Sequence, residues 1–501
     1  MAGNFTGPGF DLQPSAQQVP LATNYIQNFD FLNQYLPDTY EKEFERYGNR
    51  TISSFLRLVG AELPSNSDLV KWAEQGRLHV KYTQVGTGGA IGDDAATFQV
   101  NDPAAPAGQP TTGANPFNLQ AAQAIREGQT VVIVQNSGAG ENKGIVTNVD
   151  LSAATGNAFQ FTVAFYEGGG LVANGTGAGN ADVTVFIYGS EFKKGTVGME
   201  GSLESDDFIF ENSPIIIKDK YAVSGSDMAQ IGWVEVTTEN GATGYLWYMK
   251  SEHETRLRFD DYLETAMVEA VPAEAGSGVV DPAVNPNYGN KGSEGIFYTV
   301  GDRGNLWTGG VPDTLADFDT IIGRLDAQGA IEENVLFLDR QFGFAIDDML
   351  ATINGLDGTA GNAANAASFG LFDNDTEMAL NLGFSGFRRG YDFYKTDWKY
   401  LNDPTMRGGN VTGAGSGHIN GLLVPAGSTS VYDQILGKNA KRPYLHVRYR
   451  ASETEDRRYK TWITGSAGGA ATSSLDAMEV HFLSERCVCT MGANNFVLFE
   501  D

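Results

Sequence analysis

The chain has 501 residues, 41% of them apolar, and its 62 acidic against 34 basic side chains leave a formal net charge of −28. That length allows several domains with sizeable cores, and that apolar share excludes a disordered acidic polymer. So negative a surface repels nucleic-acid phosphates and anionic lipid, which argues against attraction of the whole molecule to DNA or membrane.

Glycine is abundant, at 62 residues, but has no collagen-like period and clusters between apolar runs, as turns and long loops require. The two cysteines, Cys487 and Cys489, stand two apart in "SERCVCTM" and share one face of a strand, with no second pair to complete a zinc site. Inert, half-buried thiols are the expectation, and the lack of a disulfide framework fits a reducing cytoplasm. No apolar run approaches the ~20 residues that span a bilayer, and "MAGNFTGPGFDLQP" has no secretion-signal pattern. The reading is a soluble protein with no membrane partner.

Residues 1 to about 36 are polar and Gly/Pro-punctuated, then aromatic in "NYIQNFDFLNQYLP", the texture of an arm that gains order by lying on something else. Three short helices are predicted next. Asp38 caps "TYEKEFERYG", Ile52, Phe55, Leu56 and Val59 mark the second, and "SDLVKWAEQG" is the third. "RLHVKYTQV" alternates as a strand.

Between about 86 and 188, Gly/Ala/Asn-rich linkers separate four β runs: "TVVIVQ", "GIVTNVDL", "FQFTVAFY" and "DVTVFIYG". Phe159, Phe161, Val163 and Phe165 alternate, as do Val183, Val185 and Ile187, so each strand buries one face. A small β-barrel or sandwich inserted into another domain is predicted, serving as decoration or a neighbour contact. Residues 189–236 mix short apolar pieces with charge and have too little apolar material for a private core. They read as a two-stranded excursion that needs partners.

"GYLWYMKSEHETRLRFDDYLETAMVEAVP" then predicts one helix of about 40 Å, capped by Thr243 and stopped by Pro272. Phe259, Tyr262, Leu263, Ala266, Met267 and Ala270 form its apolar stripe, and Glu252–Arg256 and Glu254–Arg258 are i,i+4 pairs. Residues 293–430 read as mixed α/β. One helix carries Leu315, Phe318, Ile322 and Leu325 and ends at Gly329. "VLFLD" is a buried strand, and "RQFGFAIDDMLATING" is a second helix. Strands return in "RPYLHVRYRA", "YKTWITG", "LDAMEVHFLSERCVCTM" and "NNFVLFE".

No catalytic constellation emerges. The five histidines are scattered, "GTGGAIGDD" leads into no helix, and "GFSG" lacks a full nucleophile elbow. Asp373, Asp375 and Glu377 lack the glycine and glutamate of a calcium loop, which favours a solvated turn. No enzyme activity, cofactor or metal is therefore expected. The scarce basic residues are grouped: Lys193 and Lys194 on the excursion, Arg388 and Arg389, Lys438, Lys441 and Arg442, and Arg457, Arg458 and Lys460. In an acidic chain such groups either set register against a neighbour's acidic patch or are ordinary solvated charge. With Arg256 and Arg258 of the long helix, Lys193, Lys194, Arg388, Arg389, Arg457 and Arg458 are the candidate inter-subunit contacts.

The order of these parts resembles the HK97-like fold of tailed-phage major capsid proteins. "YGSEFKKGTVGMEGS" through "KDKYAVSGSDMAQIGWVEV" looks like the E-loop, the long helix like the spine helix, and "LSERCVCTMGANNFVLF" like the last peripheral-domain strand. "RPYLHVRYRASETEDRRYKTWITGSAGG" is similar to the crAss-like phage branch. The resemblance implies an α+β chain: an N-terminal arm and helices over 1–85, an inserted β domain over 86–188 and an E-loop over 189–240. The spine helix and P-domain take 241–292, an A-domain 293–430, and closing P-domain strands 431–501. It further implies pentamers and hexamers of the chain, tiling an icosahedral virion shell assembled in the host cytoplasm. Portal, scaffolding and decoration proteins are the implied partners, and DNA is enclosed without sequence-specific binding. In some members an E-loop lysine joins a neighbour's asparagine covalently; Lys193 and Lys194 stand at that place, and non-covalent contacts are expected. The alternatives are a glycan-binding surface adhesin and a β-rich glycan hydrolase.

Overall fold

A computed structural model describes residues 61–76, 79–91, 94–100, 124–136, 140–150, 159–167, 183–201, 207–229, 236–237, 243–244, 247–286, 289–353, 386–408, 418–433, 438–467 and 471–500. The first two predicted helices, the loop after Ile353 and the Asp373–Glu377 turn lie outside them. Contacts separate one compact unit, Trp72–Phe210, from a second made of the chain on either side. The sequence reading drew the insert more tightly, at 86–188.

The described residues open on strand β1 (Ala61–Ser65) and β2 (Val70–Gln75). β2 is a strand where "SDLVKWAEQG" predicted a helix. Its exposure alternates residue by residue, and it pairs with β9 (Asp207–Asn212) in a two-stranded sheet. Trp72 lies 6.3 Å from the Phe210 ring, and Lys71 Nζ 2.8 Å from Glu211. Cross-strand partners far along the chain override the local helical pattern.

Between those two strands the inserted unit closes as a six-stranded antiparallel barrel. Its strands are β3 (Lys81–Ile91), β4 (Ala95–Val100), β5 (Gln129–Gln135), β6 (Glu141–Asp150), β7 (Phe159–Phe165) and β8 (Val183–Ser190), ordered β3-β4-β7-β6-β5-β8. The predicted alternation fills the interior: Phe159, Phe161, Val163, Val183 and Val185 are buried, with Phe98 stacked 5.6 Å from Phe161 and Tyr82 edge-on to Phe159 at 5.8 Å. Closure removes the open edges that a small sheet would expose. Gly144 is required by close approach, since a Cβ there would stand 2.4 Å from Val163 and 2.5 Å from the Ala164 carbonyl.

The other unit holds two sheets and a long helix. In the first sheet, β22 (Ala477–Thr490) pairs along one side with β10 (Ile215–Ser224). Along its other side it pairs with β21 (Lys460–Gly465) and then β20 (Leu445–Arg450), on which β1 adds a parallel edge. The excursion that needs partners finds one within the chain for Ile215–Ser224: ten residues of β10 are laddered to β22, and Tyr221 and Val223 are buried. Two-residue strands β11 (Val236–Thr237) and β12 (Thr243–Gly244) pair next, so Thr243 belongs to a strand and is not the helix cap.

Helix α1 (Trp247–Glu269) follows. Phe259, Leu263 and Met267 of the predicted stripe are buried, Phe259 meeting Phe482 at 5.7 Å and Tyr459 at 5.4 Å. Tyr262 is instead 42% exposed, and Val268 joins the core. Arg258 reaches Asp219 of β10 at 3.2 Å, a cross-element contact in place of the predicted Glu254 pair, and Glu254 stands 3.8 Å from Lys250, the i,i+4 partner one turn earlier. Pro272 lies three residues past the helix and bridges to Gly292.

The second sheet is mixed, with six strands ordered β13 (Asn305–Trp307), β23 (Val497–Glu500), β17 (Ile419–Pro425), β14 (Glu333–Leu338), β16 (Tyr391–Asp397) and β15 (Gly386–Arg389). Its central strands are apolar on both faces, which is why they read as continuous hydrophobic runs. Leu336, Leu338, Leu423, Val497 and Phe499 pack with helices α3 (Leu315–Gln328) and α4 (Arg340–Ile353). Phe337, Leu422, Val424 and Leu498 pack oppositely, with α2 (Ile296–Arg303), the end of α1, Trp398, and Tyr400 of the short helix α5 (Lys399–Asn402). Gly329 ends α3 at φ 69°, as its position predicted.

The hairpin β18 (Ser428–Asp433) and β19 (Lys438–Pro443) completes the strands. The predicted closing β segment divides: β22 stays in the first sheet. After a left-handed Gly492 and a turn at Ala493–Asn495, β23 enters the second between β13 and β17. Among the described residues no helix is long and apolar enough to cross a membrane.

Candidate functional site

Where β1 joins the first sheet, alternation along β22 turns Ser484 and Arg486 to the same side as Glu62 of β1. Arg486 is 6% exposed. Its guanidinium donates to Ser484 Oγ at 2.8 Å, to the Arg458 carbonyl at 2.9 Å and to Glu62 Oε1 at 3.3 Å, and Arg458 also pairs with Glu62. Burial pulls the Arg486 guanidinium below the usual arginine range, and Glu62 works against it. On the other side of the sheet Glu485 takes Arg457 at 2.6 Å and Arg450 at 3.5 Å, while Arg450 also holds Asp68. The Arg450 contact holds the Asp68 carboxyl below the usual range. Such a network has one evident physical effect: it fixes the first described strand to a sheet formed by the end of the chain.

A second joint links α1 to the α/β layer. Glu269 accepts from Tyr400 Oη at 2.6 Å and from Arg407 at 2.5 and 3.1 Å, and Arg407 lies 5.2 Å over the Phe297 ring. Burial and the Glu269 contact push the Tyr400 hydroxyl well up. Asn212, at the end of β9, makes the third joint. Its Nδ2 donates to the carbonyls of Glu294 (2.9 Å) and Val488 (2.7 Å), and its Oδ1 accepts from Ser293 Oγ, Glu294 N and Ser213 N at 2.8–2.9 Å.

The basic residues singled out from the sequence fall into open and engaged groups. Lys193 and Lys194 are exposed in a turn after β8, where the Lys193 carbonyl accepts from Thr196 Oγ1 at 2.7 Å and Gly195 has φ 81°. Arg388 pairs with Asp392 at 3.1 Å, and Arg389 holds both oxygens of Asp319. Arg258 holds Asp219, and Arg256 is exposed on α1 beside Tyr459. Burial is the largest cause that pushes the Tyr459 hydroxyl up to about 12. Asp260 adds to the rise and Arg256 opposes it. Arg457 meets Glu485 on one face of the first sheet and Arg458 meets Glu62 and Arg486 on the other; the others are separated. Sequence reasoning missed Glu62, Asn212 and Arg407. Their partners lie up to 424 residues away, and no local spacing marks them.

Cys487 and Cys489 are fully buried rather than half-buried, and the Cys487 contact, together with burial, pushes the Cys489 thiol well up. Opposite Cys489 in the ladder, His446 is 4% exposed, and burial lowers it to about 4. Among the described residues no group of three or more His, Cys, Asp or Glu side chains is arranged to hold a metal ion.

Solved chains show what the fold is similar to. A Microbacterium phage Oxtober96 chain is 11% identical and overlaps 93% of this chain and 96% of its own length, with a TM-score of 0.36. A chain of the cyanophage Pam1 capsid asymmetric unit is 12% identical over 62% of this chain and 82% of its own, with a TM-score of 0.34. One from the holo-SrpI encapsulin complex of Synechococcus elongatus is 10% identical over 59% and 77%, with a TM-score of 0.32. No family model and no curated protein matches the chain.

Proposed function

We propose that this chain is the major capsid subunit of a tailed double-stranded DNA phage, forming pentamers and hexamers that close an icosahedral head shell around the genome. One observation carries the reading: the order and layering of its parts. Two strands lead into and out of an inserted barrel, β10 joins β22, and a 23-residue helix lies along them. The chain then builds an α/β layer and returns to complete both sheets with its last two strands. That order supports the E-loop, spine-helix, P-domain and A-domain assignment that the sequence resemblance implies, with the barrel as an insert and Ile215–Ser224 given to the first sheet.

On this reading the subunit is structural, acts in the virion after assembly in the host cytoplasm, and meets portal, scaffolding and decoration proteins. A chain with a net charge of −28 encloses DNA without gripping it. Charge accumulating in the shell makes assembly salt-dependent. Negative-stain imaging of the expressed chain, alone and with its scaffolding partner, is the test. Closed shells or capsomer rings support the reading. A strictly monomeric chain at high concentration in both conditions overturns it, and turnover of a glycan substrate points to the hydrolase alternative.

A further inference from the structure

Strand alternation gives the first sheet two unlike faces. Tyr221 and Val223 of β10, with Val480 and Phe482 of β22, turn toward Phe259 and Leu263 of α1. On the opposite face Ile216, Lys218 and Lys220 are exposed, and Ile216 keeps 53% of its surface in solvent. The register sets Lys218 and Lys460 on either side of Leu483, and Lys220 and Trp462 on either side of His481. Trp462 stacks on His481 at 5.0 Å and 15°, and Lys460 Nζ lies 6.0 Å over its ring.

Two features of this face ask for a partner. First, its charge is reversed relative to the whole: Lys218, Lys220, Lys460, Arg450 and Arg457 outnumber Glu479, Glu485, Glu455 and Asp68 in a chain that is otherwise strongly acidic. Lys220 meets Glu479 at 3.3 Å, whereas Lys218 has no ion pair among the described residues. Lys460 is met by Glu455, so Lys218 is the charge that an anionic group above Leu483 would meet. Second, the same face carries an exposed tryptophan and isoleucine, the kind of anchor that protein interfaces bury and a phosphate backbone does not need.

We propose that the exposed part of this face, over β10 and β21, is a socket for the acidic surface of a second copy of this chain. Charge complementarity selects that occupant: another copy carries 62 acidic side chains and is the partner at highest local concentration in an assembly. A basic patch does not pair with itself, so the contact is heterologous and propagates head to tail, as ring or shell closure requires. The inference rests on the shell-subunit reading and names one of its contacts.

The test mixes isotopically light and heavy full-length chains under assembling conditions and applies a zero-length amine–carboxylate crosslinker. Crosslinks joining Lys218 or Lys220 of one copy to an Asp or Glu of the other are expected. Lys218→Glu should raise the concentration at which particles form by about tenfold or more with an unchanged urea midpoint, and Trp462→Ala, which also loses its stacking on His481, should raise it as much while still unfolding cooperatively. Crosslinks confined to single copies, or particles at the wild-type concentration for both variants, overturn the inference while leaving the shell reading standing. Crosslinks that vanish when duplex DNA is added, with particles intact, also overturn it, in favour of a nucleic-acid face. A wild-type chain that never associates overturns both.

Discussion

Asn212 offers the sharpest single-residue test of how the larger unit is held. It is 4% exposed and makes five hydrogen bonds, to the backbone after β9, the segment before α2 and the carbonyl of Val488 in β22. In Asn212→Leu all five partners lose that side chain at about 1 kcal/mol each, and the apolar replacement returns roughly 1 kcal/mol, so the net loss is about 4 kcal/mol. Asn212→Asp keeps the acceptor side but sets a carboxylate against the carbonyls of Glu294 and Val488. It should therefore be comparably destabilised at neutral pH and partly restored in acid, where a protonated carboxyl donates once. Urea unfolding followed by tryptophan fluorescence reads both variants. If each stays within about 1 kcal/mol of the wild type, the joint at Asn212 does not hold these segments together and the argument fails.

Phe259→Ala removes a fully buried ring between Phe482 and Tyr459 and should cost about 3–5 kcal/mol in the same assay. His446 is lowered to about 4 from an ordinary 6.5, so the unfolded chain binds the extra proton between those values. Its contribution is complete above about pH 6.5 and falls by roughly 3 kcal/mol as pH drops to 4, and His446→Leu should flatten that window. Cys487 and Cys489 should resist a thiol reagent in the native protein and react on unfolding; fast native labelling would contradict their burial. Residues 72–210, expressed alone, should give the circular dichroism of a folded β protein with a cooperative melt, since the barrel has its own core.

Legibility in the sequence followed locality. The barrel strands β5 to β8, the long helix and α3 with its Gly329 terminus were readable because each carries its own period or stop signal over a few turns. Val70–Gln75 reads as a helix in sequence because its strand partner, β9, stands some 130 residues on, and a ten-residue pattern with Leu69, Val70 and Trp72 fits a helix as well. The division of the closing strands between two sheets depends on one left-handed glycine at 492, indistinguishable in sequence from any other loop glycine. The same holds for the candidate contacts. Clustering of Arg457 and Arg458 was visible, but their carboxylate partners Glu485 and Glu62 were not, because parallel addition of β1 to β20 is a long-range event. The basic sheet face was invisible for a related reason: Lys218, Lys220 and Lys460 meet only through the register of β22.

The central claim is that many copies of this chain close into a shell, and electron cryomicroscopy of the purified full-length protein, with and without its scaffolding partner and at low and high salt, tests it most directly. The account predicts closed particles or capsomer rings whose yield changes with ionic strength. Monodisperse single chains in every condition would contradict it.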